Sequence, residues 1–79
     1  MARVLLFGPL RDLAGWRERT VEASSLSALK SALRAEDPRL GEALSGPGVQ
    51  AAVDKTIRRG DALLSALTEV AFLPPMSGG

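Results

Sequence analysis

Glu69-Val70-Ala71-Phe72-Leu73-Pro74-Pro75-Met76-Ser77-Gly78-Gly79 joins two kinds of chain without a spacer. Val70 and Phe72 fall on one face of an extended segment and Ala71 and Leu73 on the other, so residues 69–73 read as a strand that both faces can bury. Pro74 and Pro75 then fix φ and withdraw two backbone donors, which ends the sheet ladder and favours an extended stalk. Gly78 and Gly79 have no Cβ, so the backbone there can thread a slot too narrow for other residues and leave a carboxylate at the far end. The six residues from Pro74 to Gly79 reach roughly 20 Å when fully extended, enough to enter a partner's cleft. The chain divides accordingly into a folded domain over residues 1–73 and an extended tail over 74–79, with Gly79 as the candidate reactive residue. A Gly-Gly ending by itself is weak evidence, since average glycine usage puts it at about one chain in two hundred. Its weight comes from the apolar strand and the Pro-Pro pair that lead into it.

A strand buried on both faces needs neighbours, and the rest of the chain supplies them. Val4-Leu5-Leu6-Phe7, within the run Arg3 to Gly8, leaves no polar alternation and reads as a second central strand covered on both faces. Pro9 suits the first position of a short helix, Leu10, Leu13 and Ala14 share a buried side, and Gly15 can supply a left-handed stop. Trp16 to Glu22 alternates as an exposed strand whose charges guard an edge, with Trp16 a packing residue at its start. Ser25 caps the main helix over Leu26 to about Glu36, where Leu26, Leu29, Ala32 and Leu33 form one apolar stripe. Asp37-Pro38 ends it, and Arg39 to Leu44 can form another helical turn.

Ser45-Gly46-Pro47-Gly48 is a turn, expected to lie far from the tail. Val49 to Val53 reads as a strand, Asp54-Lys55 as a tight turn in which Asp54 is a turn former and not a catalytic acid, and Thr56-Ile57-Arg58 as a short strand. Arg59-Gly60-Asp61 is a further turn, not an adhesion motif. Leu63, Leu64 and Leu67 are apolar enough to pack onto the core. Two antiparallel hairpins, one helix and a right-handed crossover place the first and last strands side by side in the middle of one mixed sheet. That arrangement is an α+β fold of the β-grasp, or ubiquitin-like, type.

Composition removes most catalytic chemistry. A chain of 79 residues, 46% apolar and 24% charged, forms one small domain with little room for a deep pocket. It contains no cysteine and no histidine, which excludes disulfides, thiolate catalysis, thiolate or imidazole metal sites and the usual base near neutral pH. Glu36-Asp37 and Glu69 read as solvated charges, so no metal site and no catalysis by this chain alone are expected. A net charge of +1 gives little field for nucleic acid. The one basic cluster, Lys55, Arg58 and Arg59, lacks interleaved aromatics and reads as a solvated strand face, with a protein-docking rim as the alternative. Gly8-Pro9 breaks the early apolar run and no segment is long enough to cross a bilayer, which leaves the cytoplasm as the expected compartment.

Val4-Leu5-Leu6-Phe7-Gly8-Pro9-Leu10-Arg11-Asp12-Leu13-Ala14-Gly15 and the ending Phe72-Leu73-Pro74-Pro75-Met76-Ser77-Gly78-Gly79 resemble the small, sulfur-carrying subunit family of molybdopterin synthase. Ala51-Ala52-Val53-Asp54 occupies the place of that family's usual Val-Asn pair. Asp54 departs from the Asn, and Ala66-Leu67-Thr68 stands where the family usually has an acidic-Gly-acidic turn. The resemblance spans nearly the whole chain, and its specificity lies in the Phe-x-Pro-Pro-x-Ser-Gly-Gly ending.

The resemblance implies a non-catalytic sulfur-donor subunit. An E1-like adenylating enzyme would use ATP and magnesium to activate the carboxylate of Gly79, and a sulfur donor such as a cysteine desulfurase would convert it to a thiocarboxylate. The loaded tail would enter the large synthase subunit, in a heterotetramer, and give its sulfur to the pterin precursor of the molybdenum cofactor. Phe72, Leu73, Pro74, Pro75, Met76, Ser77 and Gly78 would then be partner-binding, with core packing as the other reading of Phe72. No cofactor would be bound by the chain itself. The competing readings are a sulfur carrier for thiamine, cysteine or transfer-RNA thiolation, a ubiquitin-like modifier joined to lysines through Gly79, and a module whose Pro-Pro tail docks in an aromatic groove.

Overall fold

Five strands and three helices follow one another in the computed structural model, which describes residues 1–75. They are β1 Ala2–Leu6, α1 Pro9–Ala14, β2 Glu18–Val21, α2 Leu26–Glu36, α3 Pro38–Leu44, β3 Gln50–Val53, β4 Thr56–Arg58 and β5 Glu69–Leu73. The strands form one sheet in the order β2-β1-β5-β3-β4. β5 runs parallel to β1, with Val4 opposite Val70 and Leu6 opposite Phe72, and antiparallel to β3, with Ala52 opposite Ala71. The first and last strands therefore form the central pair, as the order of elements predicts.

Each helix begins and ends where its sequence provides a partner for the exposed backbone groups. Ser25 Oγ accepts from the Ala28 amide at 3.1 Å and starts α2. Asp37 takes an extended conformation at the junction, donates its amide to Leu33 and accepts from the Leu40 amide at 3.2 Å, so one residue stops α2 and starts α3. Gly15 closes α1 at φ 83°. The two longer helices pack tightly. A β-carbon at Gly41 would lie 2.4 Å from Arg34 Cβ and 2.6 Å from its Cα, so the backbones approach to a distance that only glycine allows.

The core lies between the helices and one face of the sheet. Val4, Val70, Phe72, Leu29, Leu33 and Leu40 are its fully buried large residues, each contributing about 1.5–3 kcal/mol of burial. The other face carries no helix. Along β1 the inward residues Ala2, Val4 and Leu6 are buried, while Arg3 is exposed and Leu5 half-buried. The expectation that β1 is covered on both faces is thus corrected, since Arg3 and Leu5 lie toward the open face, whereas on β5 Ala71 is buried and Leu73 half-buried, so that its second face is covered in part.

A second correction concerns residues 63–67. Leu64 is buried and hydrogen-bonds through its amide to Ser24 O, but Leu63 is 89% and Leu67 94% exposed. Leu63 pairs with Ser25 in an isolated antiparallel bridge, so that its side chain and that of the buried Leu64 take opposite sides. Leu67 lies in the turn in which the Ser65 amide donates to Thr68 Oγ1 at 2.8 Å and the two hydroxyls lie 3.1 Å apart. Thr68 is buried in this turn, and its carbonyl accepts from the Arg3 amide, which anchors Ala66-Leu67-Thr68 beside β1. Among the described residues no helix is long and apolar enough to cross a membrane.

Candidate functional site

β5 delivers the tail. It is hydrogen-bonded on both sides, by β1 and β3, so the direction of its last residue, Leu73, is set by the middle of the sheet and not by a loose edge. Pro74 is half-buried and Pro75 exposed. Of the tail and strand residues expected to meet a partner, Phe72 is fully buried and packs in the core, which bears out its packing reading. Leu73, Pro74 and Pro75 remain reachable. Met76, Ser77, Gly78 and Gly79 lie outside the described residues.

Two glycines seat the base of the tail. Gly8, between β1 and α1, has φ 57° and ψ −134°, a combination that side-chain-bearing residues rarely adopt. A β-carbon there would lie 3.2 Å from Pro74 Cγ. Gly48 has φ 83°, and a β-carbon on it would lie 2.8 Å from Pro75 Cβ. The two proline rings therefore rest against bare backbone on either side. The Ser45–Gly48 turn, expected far from the tail, is instead one wall of its exit. A glycine shortly after β1 and another shortly before β3 were the available signal, but the sequence does not say which segment packs against them.

The open face of the sheet extends this site. Leu5, Ala71 and Ala52 follow one another across β1, β5 and β3 in register, and Ile57 continues the row on β4. Leu73 sits on the same face opposite Gln50. Ile57 is 42% exposed, and Phe7, at the end of β1 nearest the tail exit, is 45% exposed. Arg3 crosses the β2-β1-β5 part of this face: its Nε lies 2.9 Å from Glu18 and its Nη2 3.4 Å from Glu69. Phe7, Arg11, Arg17 and Glu18 line a groove of about 280 Å³ beside the exit. These groups can bind and aim a chain.

Two polar side chains in the turns serve structure. Asp54, at φ 49°, accepts from the Glu69 amide at 2.9 Å and ties the β3–β4 turn to the start of β5. Asp61 accepts from the amide and the hydroxyl of Ser27 at 2.8 and 2.9 Å and from the Ala62 amide. The Ser27 amide, first among these, holds the Asp61 carboxyl below the usual aspartate range. The Arg59-Gly60-Asp61 letters thus belong to a turn that caps α2 from outside the helix.

Fold and exit together define a β-grasp domain whose central strand, β5, leads into the C-terminal residues. The chain belongs to the ThiS family, whose model matches residues 4–79. It is 36% identical over 81 residues to the molybdopterin synthase sulfur carrier subunit of Escherichia coli (strain K12), with the whole of both chains covered. Among solved structures it is similar to the small archaeal modifier protein 1 (SAMP1) of Methanosarcina acetivorans, with a TM-score of 0.86 and 22% identity over 99% of this chain and 95% of that one. SAMP1 from Haloferax volcanii gives a TM-score of 0.80 and 20% identity over 99% and 98%. Both are ubiquitin-like β-grasp proteins, and at these identities the likeness concerns the fold.

Proposed function

We propose that this chain is a sulfur-carrier protein, the small subunit of a molybdopterin synthase, and that Gly79 is the residue that carries the sulfur. The observation that supports this most is full-length 36% identity to a molybdopterin synthase sulfur carrier subunit, on a fold whose central strand ends at the seated Pro74-Pro75 pair.

A terminal carboxyl has a pKa of about 3.5 and at neutral pH is an ionised, poor acyl electrophile. In the proposed cycle a carboxylate oxygen of Gly79 attacks the α-phosphorus of ATP, with magnesium held by an E1-like enzyme, and pyrophosphate leaves. The acyl-adenylate has a good leaving group. A persulfide from a cysteine desulfurase supplies sulfur to its carbonyl carbon and AMP departs, the extra sulfur–sulfur bond being reduced by thiol. In the large subunit the thiocarboxylate sulfur would attack an electrophilic carbon of the pterin precursor and displace an oxygen leaving group from it. Water would then cleave the acyl–sulfur bond of the resulting thioester, leaving the sulfur on the pterin and returning Gly79 to the carboxylate. The chain's own part is to bind and aim: Gly8 and Gly48 set the base of the tail, and Leu5, Phe7, Ile57 and Leu73 offer the apolar surface on which the large subunit rests. Two small and two large subunits acting in the cytoplasm complete the reading.

Intact-mass analysis tests it, on the chain incubated with its adenylating enzyme, ATP and a sulfur source. The expected result is a mass change equal to exchange of one oxygen for one sulfur, located at Gly79, and sulfur delivery to the pterin precursor once the large subunit is added. No mass change with an adenylating enzyme shown to be active would overturn it. Gly79-dependent adducts on lysines of other proteins, without sulfur loading, would establish the modifier reading instead.

A further inference from the structure

Ten cations and nine anions nearly balance along the chain, but they are unevenly partnered. Arg3 holds Glu18 and Glu69, and Arg19 holds Glu36. Asp37, Asp54 and Asp61 are committed to backbone amides. Along β4 the outcome is one-sided: Lys55, Arg58 and Arg59 are exposed within five residues, and none forms an ion pair among the described residues. The acids that flank them in sequence, Asp54 and Asp61, are those already turned onto backbone. β4 is also an edge, with β3 on one side and, among the described residues, no strand on the other.

Lys55 adds a second, independent observation. It has φ 69° and follows Asp54 at φ 49°, in a two-residue hairpin turn whose second position favours glycine. A lysine in the left-handed region is strained where a glycine is not. Strain retained at an exposed turn points to a use for the side chain.

We propose that the β4 edge, with Lys55, Arg58 and Arg59, docks an acidic, extended segment of the large synthase subunit, which adds a strand to the sheet; this rests on the sulfur-carrier reading. β4 lies two strands from β5, roughly 10 Å, so a protein that covers the tail exit and the apolar row ending at Ile57 reaches this edge without a gap. An extended acidic segment meets both unsatisfied features of the edge, its free backbone groups and its cations. A second copy of the chain is disfavoured, because two such edges would set like charges against each other. RNA is disfavoured because the edge offers no aromatic side chain for base stacking.

The test is the association rate of the full chain with the large subunit from the same cells, measured between low and high salt. The wild-type rate is expected to fall by about tenfold or more as salt rises, and the K55E/R58E/R59E variant to bind at least about tenfold more slowly at low salt with little salt dependence. The Ile57 amide, which points away from β3 because Thr56 and Arg58 take the hydrogen-bonded pairs of the hairpin, gains protection from hydrogen exchange in the wild-type complex. Lys55→Gly separates charge from backbone: it raises the melting temperature by about 2–6 °C through relief of strain while slowing association about two- to threefold. A folded triple variant with wild-type rates and salt response, or no added protection at the Ile57 amide, would overturn the proposal while leaving the sulfur-carrier reading standing. Failure of the wild type to bind would remove that reading together with this partner. Loss of binding to a polyuridine 20-mer with unchanged protein association would overturn the proposal in favour of RNA.

Discussion

Gly48 and Pro75 are packed so that a β-carbon on the first would lie 2.8 Å from Cβ of the second. A turn that precedes β3 therefore helps decide where the tail points, although 27 positions separate the two residues in sequence. Gly48→Ala is expected to cost about 1–2 kcal/mol from its positive φ and to displace Pro75. Sulfur loading should slow several-fold. Denaturant unfolding together with single-turnover loading checks both effects, and an unchanged loading rate would mean that the contact does not aim the tail.

Phe72 and Leu73 should behave oppositely despite being neighbours. Phe72 is fully buried, so Phe72→Leu is expected to lower stability by about 1–2 kcal/mol. Leu73 faces the open side of the sheet, so Leu73→Ala should cost less than about 1 kcal/mol and chiefly weaken binding to the large subunit. Calorimetry of the two variants beside titration with the partner separates the roles.

Gly78→Ala should abolish most sulfur loading or transfer while changing stability by less than about 0.5 kcal/mol. A large loss of thermal stability would place Gly78 in the folded domain and not in the tail.

Gly41→Ala tests the packing of α2 on α3. The new methyl group would meet Arg34 backbone and side chain at 2.4–2.8 Å, and the helices must part, at a cost of about 1–3 kcal/mol. Thermal unfolding that matched wild type would show that the helices have slack at this crossing.

Asp61 predicts a pH dependence. Its carboxyl titrates below the usual aspartate value because the Ser27 amide and hydroxyl stabilise the charged form. A depressed folded-state pKa gives stability that is present above the unfolded value of about 3.9 and lost as pH falls through the folded value. The difference in stability between wild type and Asp61→Ala should thus be full near about pH 6 and shrink below about pH 4. A difference that stayed constant down to about pH 2 would mean that the carboxylate charge is not what caps α2.

Much of the fold is legible in the sequence because local signals agree with the global arrangement. Ser25, Asp37 and Gly15 end helices by chemistry that acts within a few residues, and the elements they bound occur as expected. The errors lie where a residue's fate depends on distant chain. Leu63 and Leu67 look like core by composition, and the pairing of Leu63 with the distant Ser25 and the Ser65–Thr68 turn around Leu67 leave both exposed. Val4 to Phe7 looks covered on both sides, yet whether a helix lies on a given face is a property of the whole topology. At the site, the Pro74-Pro75 pair is written in the sequence, whereas its seat on Gly8 and Gly48 is created by folding.

The parallel pairing of β1 with β5 has a mechanical consequence. A pull on the C-terminal end of the chain puts tension on β5 along its own axis, and the bonds to β1 and β3 lie across that axis. They are loaded in shear and must yield together, not one after another as in a hairpin being unzipped. Force spectroscopy with attachments at Met1 and Pro75 should therefore record a higher rupture force than attachments that peel β4 from β3. The strand that leads into the C-terminal residues is thereby the one most firmly held against a pull from that end.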